Sequence, residues 1–431
     1  MKKVILILAL LLTSLFVLAS CNNDSSGGGD ADAPVETITL TKAYWGGGDE
    51  LRAWEDLMNL YMELNPHIVI EGTYTTGGEY PTRLNTFFAS GTAPDVMGIA
   101  NDIMRPFADQ GVFYDLRPRM EAEGLLGGDI WLDVATEIFY YDGKILAMPF
   151  VYKIPAIVYN KDMFREAGLA YPTNDWTEAE MIEMAQILTV GEGRDKIYGF
   201  YLDWWPAIMN RNLYGNPVYL VEENRMNAVG NAEFRATIMF FESLINFYGV
   251  SIDSSMAVTE EGGFETGRYA MSLTAPWAMT ALDSLIGDRF EWDIVMLPIN
   301  ETWGRWRGNV FADAQTISVD SENKDAAWDY IKWLCTTVEA QRLATFGVPM
   351  LQSFATSDDY LQGWVTNTQY DKSVFVYMLN YATGWETFGI WAQVNDEINT
   401  LYEEFIHGLI DIDTLINEVQ SRGEAILAAR E

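Results

Sequence analysis

Fifteen tryptophans are spread over 431 residues, and several stand where core packing does not require them. Trp45 closes the alternating run ETITLTKAYW, and Trp204 and Trp205 sit beside Pro206 in YLDWWPAIM. Trp277 follows a strand-like run in LTAPWAM, Trp303 and Trp306 lie in ETWGRWRGN, and Trp385 and Trp391 in GWETFGIW. An indole combines a broad apolar face with one polar N–H. Open α/β sheets place their ligand crevice at the loops that follow strand ends. Indoles in such loops suit the C–H face of a pyranose ring, whose hydroxyl edge then needs carboxylate or amide partners. Asn101 and Asp102, just past the run VMGIA, are of the right types to meet that edge.

Patterns for catalysis are hard to find. His67 precedes a strand-like run and His407 stands before Gly408 at a helix end, and neither belongs to an HExxH or zinc spacing. No metal and no other cofactor is therefore expected. No GxSxG, GxGxxG or Walker loop occurs, and Gly46 to Gly48 in YWGGGDE lack the Lys-Ser/Thr pair that a phosphate loop needs. With 62 acids in the chain, pairs of carboxylates carry no signal and coat the surface. A net charge of −35 argues against nucleic acid, which is held by neutralising phosphates with Lys and Arg. The expectation is a protein that binds a solute without transforming it.

The elements that must position these residues alternate between the two periods. ETITLTKAYW and HIVIEGTYTT read as strands, and between them DELRAWEDLMNLYMEL puts Leu51, Trp54, Met58 and Tyr61 on one helical face. Tyr80, Leu84, Phe87 and Phe88 form a second amphipathic helix closed by Gly91, and PDVMGIA is a third strand. EIFYYDGKILAMPF predicts a hairpin around Asp142-Gly143. AIVYNKDMFREAGL reads as strand, turn and short helix, and Thr177 with Glu180 forms a capping box. Further strands are expected at KIYGFYL, YAMSLTA, WDIVMLP and AQTISV, with helices over Asn231–Tyr248, Asp325–Thr336, Val394–Ile406 and Ile412–Ala429. Strand–helix–strand alternation of this kind predicts an α/β fold with parallel strands.

The N-terminal stretch has a different character. Lys2 and Lys3, the apolar run Val4 to Leu18 and small residues after it have the layout of an export signal. Leu18, Ala19, Ser20 and Cys21 resemble a bacterial lipobox, which implies that Cys21 is lipidated and becomes the first mature residue. Asn22 to Glu36 then read as a flexible tether. One acyl chain holds a protein only marginally, so stable anchoring takes more than one. The remaining cysteine, Cys335, stands in an apolar helical pattern as a small core residue, and no internal disulfide is available.

Four longer stretches resemble the extracellular solute-binding proteins of sugar ABC transporters, the family typified by maltose-binding protein. They are GTAPDVMGIAND, DGKILAMPFVYKIPAIVYNKDMFREAGL, FETGRYAMSLTAPWAM and SVDSENKDAAWDYIKWLCTTVEAQRLATFGVPM. The resemblance runs from about Thr37 to Arg430 and implies a two-lobe, type II periplasmic-binding-protein-like fold with the cleft between the lobes. It divides the chain into a signal peptide (1–20), a tether (21–36), a first lobe (37–153 with 299–352) and a second lobe (154–298 with 353–431). Carried over residue by residue, it gives Asp102 and Asp49 as acids that bond sugar hydroxyls, and Trp277 as a stacking residue. It also places Trp205 in an aromatic site loop and Trp391 near the last stacking position. Lys153 stands near the place of a sugar-contacting acid at the hinge, and Arg305 or Arg307 could pair with a uronic carboxylate. The resemblance implies a monomeric, lipid-anchored receptor on the outer face of the membrane, capturing a carbohydrate for the permease subunits. The same fold serving a polyamine or peptide, and a cell-surface glycoside hydrolase, are the alternatives the residues leave open.

Overall fold

Alternating apolar residues shape the first strand, β1 (Ile38–Trp45), which buries Leu40, Lys42, Ala43 and Tyr44. The computed structural model describes residues 36–127, 129–132, 137–202, 213–220, 223–252, 263–363, 370–384 and 391–429. Within it α1 (Asp49–Leu64) packs Trp54, Leu57, Met58 and Tyr61 inward, and β2 (Ile68–Thr75) follows. Next, α2 (Tyr80–Ser90) stops at Gly91, whose φ of 66° is the left-handed value a helix end needs. The fully buried β3 (Val96–Ala100) leads straight into α3 (Asn101–Asp109).

The expected hairpin is present as Tyr140–Tyr141 paired with Lys144–Ile145, with Asp142 and Gly143 both at positive φ. Beyond it come β4 (Met148–Lys153) and β5 (Ala156–Asn160), separated by only Ile154 and Pro155. The capping box of Thr177 and Glu180 opens α4 (Glu178–Leu188), and Asn231 caps α5 (Ala232–Asn246). Then follow β6 (Met271–Thr274), β7 (Trp292–Val295), a short hairpin over Ile299–Arg305 and the long β8 (Gly308–Ile317). The described chain continues with α6 (Lys324–Thr336), β9 (Val348–Pro349), β10 (Ala382–Gly384), α7 (Trp391–Ile406) and α8 (Ile412–Ala428).

Two sheets result. The larger has the order β9–β4–β8–β3–β1–β2, with β10 beside the first residues of β8. The expected parallel pairing holds for β1 with β2 and β3, whereas β8 runs antiparallel to both β3 and β4. The smaller sheet, β6–β5–β7, is antiparallel throughout. The run KIYGFYL does not form a strand and makes isolated bridges, Ile197 with Val190, Tyr198 with Tyr269 and Tyr201 with Ser272. Between these bridges the chain turns to the end of α4: the Gly199 N–H donates to Thr189 Oγ1 at 2.9 Å, and a Cβ there would lie 1.9 Å from the carbonyl oxygen of Ala185. β8 begins well before the expected AQTISV, at Gly308, and pairs Phe311 opposite Lys153. Its register slips between Asp313 and Ala314, a bulge that re-aims the side chains beside it. Cys335 is a buried core residue, its thiol 3.7 Å from the carbonyl oxygen of Met148. No helix among the described residues is long and apolar enough to cross a membrane.

Candidate ligand-binding site

Lys153, the last residue of β4, stands where the chain leaves the larger sheet for β5 of the smaller one. Its Nζ donates to Asp313 Oδ2 at 2.8 Å and to Glu50 Oε1 at 2.9 Å. The ammonium lies over two indoles, Trp45 and Trp277, at 5.9 Å from each ring centre, and over Phe346 at 5.4 Å. Trp45 ends β1 of the larger sheet, and Trp277 lies in the turn Pro276–Ala278 directly after β6 of the smaller one. One cation thus joins aromatic residues carried by the two sheets.

Each indole has a support. Trp45 packs on Tyr80, ring centres 4.9 Å apart, and lies so close over β3 that only glycine fits at position 98. The buried Tyr80 hydroxyl donates to the carbonyl oxygens of Gly98 at 2.9 Å and Ala43 at 3.2 Å, fixing the platform beneath Trp45. Trp277 meets Phe311 of β8 edge to face at 6.1 Å. Both indoles are half-buried, each with part of its surface open to solvent.

The ionic cluster is almost dry. Burial opposes the charge on Lys153, but the fields of Asp313 and Glu50, with the hydrogen bonds they accept, outweigh it and hold the ammonium above the ordinary lysine range. Burial pushes both carboxyls up, and Lys153 offsets only part of that shift. A buried ion pair gives little net stability over an apolar equivalent, whereas breaking one by removing a single partner is costly. The cluster therefore fixes geometry more than it adds stability.

The remaining expected site residues divide into three groups. Asn101 is buried at the start of α3, its Oδ1 accepting from the Ala312 N–H at 2.9 Å and its Nδ2 donating to the Val310 carbonyl oxygen at 3.3 Å. Those bonds tie α3 to β8. Asp102 is half-buried in the first turn of α3, where the helix dipole favours a negative charge. The Arg307 N–H donates to the Leu213 carbonyl oxygen at 2.7 Å, and its side chain passes over Gly215. Cys21, Trp204, Trp205 and Trp385 lie outside the described residues. Asp49 opens α1 and Trp391 opens α7, but their side chains lie outside the described set.

Trp306 corrects the sequence reading that it stands away from the core. It is fully buried, packed against Phe240 at 4.9 Å and Phe241 at 6.3 Å, and its N–H donates to Glu178 at 2.7 Å. Trp303 is half-buried and stacks on Tyr214 at 6.1 Å. The sequence reading missed Glu50, Asp313, Phe311 and Phe346. The one signal available for Asp313 was a charge within the alternating run NVFADAQTIS.

The sequence profile of the family described as bacterial extracellular solute-binding protein matches residues 46–341, more than half the chain. An uncharacterized lipoprotein of Streptomyces antibioticus is 26% identical over 400 residues, covering 85% of this chain and 81% of the relative. Among solved structures, an ABC substrate-binding protein from Listeria monocytogenes in complex with cycloalternan superposes with a TM-score of 0.78 at 20% identity. That match covers 91% of this chain and 100% of the other. The acarbose-binding GacH receptor of Streptomyces glaucescens gives a TM-score of 0.77 at 18% identity, covering 91% of this chain and 99% of the receptor.

Proposed function

Because the chain belongs to the bacterial extracellular solute-binding protein family, we propose that it is the substrate-binding lipoprotein of an ABC importer. In this reading it captures an oligosaccharide between its two lobes and delivers it to the permease subunits in the membrane. The observation that carries the reading is the placement of Trp45 and Trp277, one at a strand end of each sheet, around the single ammonium of Lys153. Two partly open indoles offer apolar faces to a ring-shaped ligand. The half-buried Asp102, also at the end of a strand of the larger sheet, is the carboxylate assigned to the hydroxyl edge. The cycloalternan and acarbose named for two structures of the same fold support a glycan.

Capture needs no covalent step. A sugar that touches both lobes binds the closed arrangement better than the open one, and it shifts the population by that difference in affinity. The permease then meets a closed outline.

We place the first lobe at 37–153 and 299–352 and the second at 154–298 and 353–431, except that the hairpin Ile299–Arg305 goes with the second. Ile299 N–H donates to the Trp176 carbonyl oxygen at 3.0 Å, and Asn300 Nδ2 donates to Glu178 at 2.9 Å, both at the start of α4. Cys21 carries the lipid and the following residues to Glu36 form the tether.

Calorimetric titration with a panel of neutral oligosaccharides tests the reading. Wild type is expected to bind at least one of them, and Trp277→Ala to lose detectable binding while still unfolding cooperatively. Unchanged affinity in Trp277→Ala would remove that residue from the site.

A further inference from the structure

We infer that Lys153 positions Trp45 and Trp277 while Glu50 and Asp313 consume its charge, so that the cleft takes uncharged glycans and rejects those carrying carboxylates. This deepens the carbohydrate reading above and rests on it. The geometry is specific. Lys153 Nζ lies within 3 Å of both carboxylates, and it also lies over both indoles and Phe346. Bonds to two carboxylates from two other elements, α1 and β8, leave the ammonium little room to swing toward a ligand.

With both acids ionised the cluster carries one net negative charge. A sugar carboxylate brought against Trp45 and Trp277 meets that charge in a dry, low-dielectric setting where repulsion is strong. The chain as a whole, at −35, repels an anion on approach as well. The cations in the loop before β8 are partly committed. Arg305 is buried, donates to the Leu297 carbonyl oxygen at 2.6 Å and lies over Tyr381 at 5.0 Å. Arg307 is half-buried beside Gly215.

The two roles separate by mutation. Glu50 is the most solvent-exposed member of the cluster, at 15% against 9% for Lys153 and 4% for Asp313. Glu50→Gln therefore removes one charge while leaving the buried Lys153–Asp313 pair intact. The full chain is titrated with neutral trisaccharides and with trigalacturonate, and tryptophan emission of the ligand-free protein is recorded beside each titration. Wild type is expected to prefer the neutral sugars at least a hundredfold. Glu50→Gln should cut that preference about tenfold with cooperative melting retained, the effect of removing one nearby charge. Lys153→Met should weaken neutral-sugar binding at least tenfold and shift the ligand-free emission, because both indoles lose their shared contact.

Comparable affinity of wild type for trigalacturonate and neutral sugars, or an unchanged preference in Glu50→Gln, would overturn the charge rule. Unchanged emission and affinity in Lys153→Met would overturn the positioning role. Failure of wild type to bind any sugar would overturn the carbohydrate reading and the charge rule with it. An emission shift in Lys153→Met would even then support the positioning role, so the two failures are distinguishable.

Discussion

Adding one methyl group at Gly98 tests whether Trp45 sits where the site needs it. Gly98 lies in β3, beneath the indole at the end of β1, and a Cβ there would stand 2.8 Å from Trp45 Cζ3 and 3.4 Å from Cε3. The first distance is below any ordinary carbon contact, so Gly98→Ala forces the indole or the strand to move. Tyr80 blocks one escape, because its ring holds the indole at 4.9 Å and its hydroxyl is bound to the Gly98 carbonyl oxygen itself. Overpacking of this kind costs about 1–3 kcal/mol. The backbone works in the opposite direction, since replacing glycine by alanine within a strand gains roughly 0.5–1 kcal/mol when no clash opposes it. The sign of the measured change therefore depends on the indole alone. In an otherwise native chain Gly98→Ala should lower stability in urea unfolding and weaken sugar binding about tenfold, through displacement of one stacking face. In a Trp45→Ala background the same substitution should be neutral or slightly stabilising, because the clash has gone. The coupling across this double-mutant cycle is expected at about 1–3 kcal/mol. Additive changes would refute the placement of Trp45 over Gly98, and with it one half of the proposed sugar platform.

Two further outcomes are expected. Lys42 is buried with its Nζ 2.6 Å from Gln315 Oε1 and 4.5 Å from the Trp54 ring centre, and burial lowers its pKa to about 7 despite an opposing effect from Cys335. Between that value and the unfolded lysine value of 10.5 the unfolded chain holds more protons, so stability must rise with pH. The gain from this group between pH 7 and 8.5 is on the order of 1–2 kcal/mol. The difference between wild-type and Lys42→Met urea curves over that range isolates it from Lys372, which is lowered in the same way, and parallel curves would refute it. Cys21→Ser should move the protein from the membrane fraction to the medium or soluble fraction in its native host, and membrane retention would refute lipid attachment at Cys21.

Local chemistry was readable in the sequence wherever one element sufficed to state it. The left-handed stop at Gly91, the turn at Asp142-Gly143, the capping box at Thr177 and Glu180 and the face of Trp54, Met58 and Tyr61 on α1 each depend on neighbours a few residues away. The position of Trp277, directly after a strand and a proline, was legible for the same reason. The strand at KIYGFYL was misread because the Gly199 N–H bonds to Thr189 at the end of α4 and not to a strand partner, a contact no local pattern records. Trp306 failed likewise: its surroundings, Phe240, Phe241 and Glu178, come from two helices far away in the chain.

The ionic cluster shows the limit of such reading most sharply. Lys153 alone suggests a cation offered to a ligand, and Glu50 and Asp313 alone are two acids among 62. Their meaning comes only from being brought together, over sequence separations of 103 for the first and more for the second. A buried lysine with one carboxylate would form a pair of zero net charge, and one with none would be pushed toward giving up its proton. With two, it stays charged, is held in place and contributes no net positive field to the cleft. Under the charge rule proposed above, it is the partners of Lys153, more than the residue itself, that set the charge of ligand the cleft accepts.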